Sequence, residues 1–306
     1  MKNNEKIVAV VLTWNDHSMT NRCLESIYEQ NCTYQRVIVV DNGSRPPVAD
    51  RIRAVHPTVE ILELDKNCGF TGGCNRGLER ALDLGADHVF LLNNDTYVKQ
   101  GCVRELVEAL QTDPARGMAS ALLISPGDPP KVDFFRSELQ RGRARHERLN
   151  EGTYPGEQHR HVVETDFAPA CAVMFRADML REIGLFDEAL FTNWEDYDLC
   201  CRIQDAGYKI VTVGTAEVIH DHGMTTGKIS PFITYFYTRN RLICLFRHAS
   251  KRDVLRNALF ILRSYKWQIS GQGWTNWPAY AAMLKGMWDF VLGRRGGERA
   301  PVKRSD

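Results

Sequence analysis

Short apolar runs alternate with amphipathic stretches along the first third of the chain. The run at 7–13 is continuous, as in a strand buried on both faces, and Met19, Cys23 and Ile27 follow it at helical spacing. The same alternation predicts further strands at 36–40, 59–64 and 88–92, and helices at 18–30, 47–55 and 71–85. This order is typical of the α/β class, with a mostly parallel sheet flanked by helices.

The rest of the chain follows other patterns. Residues 126–165 are rich in Pro, Gly, Arg and His and show little periodicity, which predicts a variable surface segment. From 231 to 295 the spacing is helical, with breaks near 250, 271–273 and 293. We therefore predict two parts: a domain at 1–230, and a C-terminal helical extension with a basic tail at 231–306.

Polar clusters stand at the carboxyl ends of the predicted parallel strands. In sheets of this kind the ligand lies at that edge, so these clusters are expected to converge on one site. They are Thr13-Trp14-Asn15, Asp41-Asn42, Asp65-Lys66-Asn67 and Asn93-Asn94-Asp95.

A glycine-rich stretch at 67–77 lies between a predicted strand and a predicted helix. Backbone amides in such a turn can approach a phosphate closely, and a helix N-terminus favours negative charge. The stretch lacks the Gly-Lys-Ser/Thr of a Walker loop and the Gly-x-Gly-x-x-Gly spacing of dinucleotide sites. It is also compatible with a simple tight turn.

Three further places carry side chains suited to chemistry. Glu195 and Asp196 stand beside aromatic residues, where a carboxylate suits a general base, although acids are also favoured at helix starts. Asp95 follows a strand and could hold a hard cation or form a turn. His220 precedes a small-residue loop at 223–228 that could close over a ligand, although a lone histidine is often structural.

Composition narrows the class of protein. The 306 residues are 43% hydrophobic and 25% charged, as expected for a globular protein, and the net charge of +1 gives no sign of nucleic-acid binding. The nine cysteines include no Cys-x-x-Cys pair, which favours reduced thiols in the cytoplasm. The first residues carry no leader pattern, and no apolar run approaches the ~18 residues of a membrane span.

Over roughly 7–250 the chain resembles glycosyltransferase family 2, which has the GT-A fold, and especially its rhamnosyltransferase-like members. The order of the motifs carries this resemblance. They are Val-Val-Leu-Thr-Trp-Asn at 10–15, Val-Asp-Asn-Gly-Ser at 40–44, Asn-x-Gly-Phe-x-Gly-Gly-x-Asn-x-Gly at 67–77, Leu-Leu-Asn-Asn-Asp at 91–95, Gly-Leu-Phe-Asp-Glu at 184–188, Glu-Asp-x-Asp-Leu-x-x-Arg at 195–202, His220 and Arg239-Asn240-Arg241.

The resemblance implies a GT-A, Rossmann-like sheet and a role for each matching residue. Asp196 is implied as the catalytic base with Glu195 supporting it, and Asp95 as a ligand of Mg²⁺ or Mn²⁺ with His220 as a further ligand. Asn93 replaces the first acid of the family's metal motif, which leaves one carboxylate there. The residues implied to contact the nucleotide sugar are Thr13, Asn15, Asp41 (on the pyrimidine base), Asn67, Gly72, Gly73, Asn75 and Asn94.

The implied activity is inverting transfer of a sugar from a nucleotide-diphospho-sugar, dTDP-rhamnose or a UDP-sugar, to a glycan or lipid-linked glycan. Two alternatives stay open. One is a sugar-nucleotide-binding protein with weak or no catalysis. The other is a sugar nucleotidyltransferase, which would carry a basic glycine-rich loop where this chain has Trp14-Asn15-Asp16-His17.

The C-terminal part suggests a partner. Apolar and basic residues at helical spacing over 252–270, the tryptophans after them and the basic tail suit peripheral contact with the inner face of a membrane. The same pattern is compatible with packing on the chain's own domain or on a second copy in a homodimer.

Overall fold

The computed structural model describes residues 5–30, 32, 34–221, 230–257, 260, 263 and 277–297. The strands, in chain order, are β1 (Ile7–Thr13), β2 (Arg36–Asp41), β3 (Glu60–Glu63), β4 (His88–Asn93), β5 (Thr96–Val98), β6 (Arg116–Ser125), β7 (Lys131–Phe134), β8 (Arg136–Gln140), β9 (Arg145–Leu149), β10 (Val162–Thr165), β11 (Ala172–Arg176) and β12 (Lys209–His220). The α-helices are α1 (His17–Tyr28), α2 (Ala49–Val55), α3 (Gly69–Asp83), α4 (Cys102–Thr112), α5 (Ala177–Ile183), α6 (Glu195–Asp205), α7 (Pro231–His248) and α8 (Trp277–Val291).

The first four strands form the parallel half of the large sheet, in the order β3-β2-β1-β4. Strand β1 lies at the centre because its apolar residues from Ile7 to Val11 are buried there. It is hydrogen-bonded to β2 on one side and to β4 on the other. The register sets Thr13 beside Asp41, and Leu12 beside Asn93. The predicted α/β class and the convergence of the strand ends are therefore confirmed.

The other half of the sheet mixes directions. Strand β11 lies antiparallel between β4 and β6, and β12 runs parallel to β6. Near its end β12 also pairs with β5, which sets His220 opposite Thr96. Because Thr96 directly follows Asp95, this pairing brings His220 to the edge where the parallel strands end.

The segment 126–165 lies mostly at the surface, as predicted, but its predicted lack of regular structure was wrong. It contains β7, which pairs with β6, the hairpin β8-β9, and β10, which pairs with β12. Buried Val132 and Phe134 alternate with polar neighbours on β7. The strands of this segment are short and mostly polar, so the composition concealed them.

The helix predicted at 71–85 is confirmed as α3, but the glycine-rich stretch before it does not form a separate turn. Helix α3 begins at Gly69, so most of the predicted turn belongs to the helix. A Cβ on Gly73 would lie 2.5 Å from Leu12 Cδ1, and one on Gly77 would lie 2.3 Å from Val10 Cγ1. These two glycines therefore let α3 pack closely on β1.

Helices α7 and α8 pack against each other after the sheet. A Cβ on Gly286 of α8 would lie 2.7 Å from the carbonyl oxygen of Tyr235 on α7, so the two helices approach closely. The predicted breaks near 250 and 293 are confirmed, because α7 ends at His248 and α8 at Val291. Residues 271–273 and the loop at 223–228 lie outside the described residues, and the domain boundary at 230 stays a prediction.

Candidate active site

The loops after β1 and β2 are joined by side chains predicted to bind the nucleoside. The buried carboxylate of Asp41 accepts hydrogen bonds from the backbone amides of Ser44 (3.0 Å) and Val48 (3.3 Å). Asn15 accepts a bond from the amide of Arg45 (2.7 Å), and its own amide donates to Ser44 Oγ (2.8 Å). Asp41 and Asn15 thus shape the loop after β2, and their contact with a base stays a prediction.

Asn94 connects the end of β4 to the loop after β1. Its Nδ2 lies 3.3 Å from Thr13 Oγ1, from Thr20 Oγ1 and from the carbonyl oxygen of Asp16. Thr13 Oγ1 also accepts a hydrogen bond from Thr20 Oγ1 at 2.8 Å. The structure therefore brings together Thr13 and Asn94, two residues that the sequence predicted for one site.

The N-terminus of α3 is occupied by protein acceptors. Asn42 Oδ1 accepts from the amide of Cys68 (2.9 Å), and Asn67 Oδ1 accepts from the amide of Gly69 (2.8 Å). The amide of Thr71 donates to the carbonyl oxygen of Phe191 (3.2 Å). The amides of Cys68, Gly69 and Thr71 are therefore already hydrogen-bonded within the protein, although the sequence suggested that amides of this stretch could bind a phosphate.

The interior of α3 holds the other predicted sugar contacts. Asn75 is buried and pairs with the backbone of Phe186 through both Nδ2 (2.9 Å) and Oδ1 (3.0 Å). Gly72 and Gly73 are buried beside it. These residues hold the segment before α6 against α3, and their contact with the nucleotide sugar stays a prediction.

Asp95 and His220 face each other at the sheet edge. His220 Nε2 lies 3.4 Å from Asp95 Oδ1, and Nδ1 lies 3.5 Å from Asp133 Oδ2. Among the described residues, the buried Asp95 Oδ1 has no hydrogen-bond donor. Burial would lower the pKa of His220, but Cys171 and the carboxylates of Asp133 and Asp95 outweigh burial and raise it.

The donors at this edge fit a divalent cation in kind. The Asp95 carboxylate and the His220 imidazole are ligands that Mg²⁺ and Mn²⁺ accept, and binding of the ion at His220 would displace the proton that the raised pKa favours. Within the described ranges, however, no three His, Cys, Asp or Glu side chains are grouped as a metal site. Asp95 and His220 would therefore hold such an ion together with other ligands.

Glu195 and Asp196 begin α6 as an acidic pair with different pKa values. Burial, and then the charge of Asp196, raise the pKa of Glu195 to about 8. Burial also raises the pKa of Asp196, to about 6, against the opposing effects of the Tyr197 amide and Arg148. The two carboxyl groups titrate as a coupled pair, and their burial and mutual repulsion favour a state in which one is ionised and the other keeps its proton.

Comparison with known families identifies the part of the chain that contains these strand ends. The family model described as Glycosyl transferase family 2 matches residues 8–184, more than half of the chain. The chain belongs to glycosyl transferase family 2.

Curated relatives are also glycosyltransferases, and a solved structure shares the fold. The pre-mycofactocin glycosyltransferase of Mycobacterium tuberculosis (strain CDC 1551 / Oshkosh) is 29% identical over 61% of the chain, and the chain spans only 37% of that relative. The dTDP-rhamnosyl transferase RfbF of Shigella flexneri is 22% identical over 85% of the chain and 86% of its own length. A crystal structure of GalNAc-T7 with UDP, GalNAc and Mn²⁺ has a TM-score of 0.62 at 15% identity, covering 78% of this chain and 48% of that one.

Two residues of this family 2 site were missed in the sequence. Asp133 on β7 contacts His220, and Arg148 on β9 donates to Asp133 Oδ1 at 3.2 Å. The positive charge of Arg148 also lowers the pKa of Asp196. The pair therefore links the candidate metal ligands to the candidate base. Only the alternation of polar and apolar residues at 131–134 could have indicated Asp133.

Asp198, the second aspartate of the Glu-Asp-x-Asp motif at 195–198, holds two helices together. Asp198 is fully buried, and its Oδ1 lies 2.6 Å from Arg247 Nη1 and 2.8 Å from His248 Nε2. Its Oδ2 accepts a hydrogen bond from Arg202 Nε at 2.9 Å. Asp198 thus joins α6 to the end of α7, one helical turn from the acid pair.

Proposed function

We propose that this family 2 chain transfers a sugar from a nucleotide-diphospho-sugar to an acceptor hydroxyl, with inversion at the anomeric carbon. The observation that carries the proposal is the acid pair Glu195-Asp196 at the start of α6, where burial and mutual repulsion favour one ionised carboxylate beside one protonated carboxyl group. An ionised, partly buried carboxylate with a raised pKa is suited to accept a proton.

The proposed reaction is one displacement. The acceptor oxygen forms a bond to the anomeric carbon while the bond from that carbon to the diphosphate oxygen breaks. The electron pair leaves with the nucleoside diphosphate, and Asp196 takes the hydroxyl proton. Protonated Glu195 adds no second negative charge next to the base. A divalent cation held by Asp95 and His220 would stabilise negative charge on the leaving diphosphate.

Donor and acceptor are proposed from the relatives. The printed name of the Shigella relative supports dTDP-rhamnose as the donor, and UDP-sugars are the second class to test. A glycan or lipid-linked glycan is the proposed acceptor. Incubation with a panel of sugar nucleotides, with release of the nucleoside diphosphate as readout, tests the proposal. Release from none of the donors with any glycan acceptor would contradict it.

Chelation is expected to reduce turnover by at least about tenfold, because the leaving diphosphate loses its cation. Dialysis against excess EDTA and re-addition of Mg²⁺ or Mn²⁺ measures this effect. Asp95→Asn is expected to need a higher metal concentration for half-maximal turnover. Glu63→Gln is a suitable control, because this exposed carboxylate lies on β3, away from the proposed ligands. Undiminished turnover after exhaustive chelation would show that the metal role is wrong.

We also propose that the C-terminal part binds an anionic lipid surface through one face of α8. Trp277, Leu284, Trp288 and Val291 recur at helical spacing and are 75%, 60%, 60% and 70% exposed. The side of α8 that faces α7 instead carries small residues such as Ala282 and Gly286. Large apolar side chains on the outer face are typical of helices that lie in a membrane interface.

Charge supports a lipid partner over a second copy of the chain. Residues 251–306 contain 11 Lys and Arg against 4 Asp and Glu, whereas residues 1–250 contain 28 against 34. This asymmetry would attract the C-terminal part to an anionic surface and would repel a second C-terminal part. No helix in the described ranges is long and apolar enough to cross a bilayer. Some of the C-terminal residues behind the membrane prediction lie outside the described residues, namely Leu259, Leu262, Lys266, Trp267, Ile269, Trp274 and the tail from 298.

Co-sedimentation with phosphatidylglycerol vesicles is expected to retain the full chain, and phosphatidylcholine vesicles are expected to retain less. The double variant Leu284→Glu, Trp288→Glu should lose the binding, because it places two charges on the apolar face. Tyr154→Glu is the matched control, since Tyr154 is 58% exposed and lies outside α8. Equal retention of the double variant and the control would contradict the proposal. A loss of dimer mass in the double variant would assign the face to a second copy.

A further inference from the structure

The loop that leads into the acid pair has an unusual backbone. Phe191, Asn193 and Trp194 have φ angles of 67°, 64° and 74°, in the left-handed region that residues with side chains rarely adopt. Helix α6 begins directly after this loop, at Glu195. Asparagine tolerates this region, but for the aromatic residues Phe191 and Trp194 it persists only where the surrounding contacts impose it.

Two buried polar residues on α7 supply such contacts. Asn240 Nδ2 lies 2.8 Å from each of three carbonyl oxygens in the loop, those of Leu190, Thr192 and Asn193. Arg239 Nη2 donates to the carbonyl oxygens of Ala189 (3.0 Å) and Leu190 (3.1 Å).

The two side chains on α7 also fix each other. Arg239 Nε donates to Asn240 Oδ1 at 2.9 Å, so the Asn240 amide is oriented with its NH₂ group toward the loop. Both side chains are fully buried. Buried carbonyl groups need donors, and an apolar residue at either position would leave several of them unsatisfied.

The opposite side of the loop contacts the donor-side helix α3. The carbonyl oxygen of Phe191 accepts from the amide of Thr71, and a Cβ on Gly69 would lie only 2.4 Å from that oxygen. The loop is therefore held between α7 and the N-terminus of α3. A shift of the loop would move the start of α6, and with it Asp196, relative to the polar strand ends.

We propose that Asn240, oriented by Arg239, is a positioning residue that holds the loop 190–193 so that Asp196 is aligned with the donor site. The inference rests on the proposed role of Asp196 as the base. Asn240 itself does not act on substrate, because its hydrogen bonds go to Leu190, Thr192 and Asn193. Through the loop, Asn240 fixes the direction in which the Asp196 side chain points from the start of α6.

Asn240→Asp tests this role with little change in size. The variant keeps the oxygen that accepts from Arg239, but it turns an acceptor toward three carbonyl oxygens. We expect turnover of the dTDP-rhamnose and UDP-sugar donors to fall by about 10²-fold, because small displacements of a reacting group are costly. The donor KM and the calorimetric affinity for dTDP and UDP should stay unchanged. Hydrogen exchange of the amides at 190–196 should become faster, and this measurement needs no substrate.

Thr234→Val is the matched control on the same helix. It removes the hydrogen bond from the buried Thr234 Oγ1 to the carbonyl oxygen of Ser230 (3.1 Å) and leaves the loop carbonyls bonded. We expect this variant to keep its turnover and its hydrogen exchange at 190–196.

Four results would overturn the inference. Unchanged exchange at 190–196 in Asn240→Asp would show that the amide does not hold the loop. Parallel loss of turnover and nucleotide affinity in both variants would indicate a general packing role. Normal turnover in Asn240→Asp, with Asp196→Asn inactive, would remove the positioning role and leave the proposed function intact. Normal turnover in Asp196→Asn would instead refute the base, and the positioning role with it.

Discussion

Asp196→Asn is expected to lower turnover by at least about 10²-fold and to leave nucleotide affinity close to that of the parent chain. The amide is nearly isosteric with the carboxylate but cannot accept the acceptor's proton at neutral pH. Asp196 is partly exposed at the start of α6, and its Oδ1 bonds only to the adjacent Tyr197 amide among the hydrogen bonds described. The substitution should therefore cost little stability.

Steady-state kinetics and calorimetry with dTDP and UDP measure this prediction. Asp205→Asn is the matched control, because Asp205 lies at the other end of the same helix and is paired there with Arg141. Turnover of the parent chain should also rise with pH through the raised pKa of Asp196, at about 6, because the base must be ionised. Asp196→Asn should lack that rise, and near-normal turnover in this variant would remove the base assignment.

Asp198→Asn is expected to destabilise the fold by about 3 kcal/mol, toward the lower end of the range for breaking a buried ion pair. The substitution leaves His248 (4% exposed) and two arginines around an uncharged group. Arg202 and Arg247 are 24% and 38% exposed, so solvent screens part of their unpaired charge. The urea midpoint of each variant measures the effect.

The pH dependence of this destabilisation has a defined sign. Burial would raise the pKa of Asp198, but His248, Arg202 and Arg247 outweigh it and hold the pKa below its ordinary value. A depressed pKa stabilises the fold above the ordinary value of ~3.9, and the stabilisation is lost as pH falls below that value. The difference between Asp198→Asn and the parent chain should therefore shrink in acid.

Asp50→Asn serves as the control for the buried pair. Asp50 is 99% exposed and pairs with Arg53 at 3.3 Å, so its loss should cost less than about 1 kcal/mol. Equal destabilisation by Asp50→Asn and Asp198→Asn would show that the Asp198 cluster contributes no more than a surface pair.

Local patterns predicted the parallel half of the fold because burial there follows the sequence directly. The apolar run of β1 is buried on both faces, and Thr13 and Asp41 meet because neighbouring parallel strands end together. The start of α3 was predicted to within two residues, but its glycines were interpreted as turn residues. In the structure, Gly73 and Gly77 permit close helix packing, a contact between elements distant in sequence.

The rest of the site depends on long-range contacts that a single sequence does not display. Arg148 lies on a polar strand, and only the fold brings it to Asp133. The left-handed residues before α6 include no glycine, so turn chemistry gave no signal for that loop. Asn240 reaches the loop across about fifty positions of sequence. Its position was visible as a motif, but its hydrogen bonds were not.

The most direct test of the account is the proton NMR spectrum of the parent chain incubated with the donor that it turns over and a glycan acceptor. Direct displacement with Asp196 as base predicts free nucleoside diphosphate and one new glycosidic linkage, whose anomeric configuration is opposite to that of the donor. A product with the donor's configuration would contradict the direct displacement. Bound nucleotide without release would indicate a binding protein, and pyrophosphate formed from a nucleoside triphosphate and a sugar phosphate would indicate a nucleotidyltransferase.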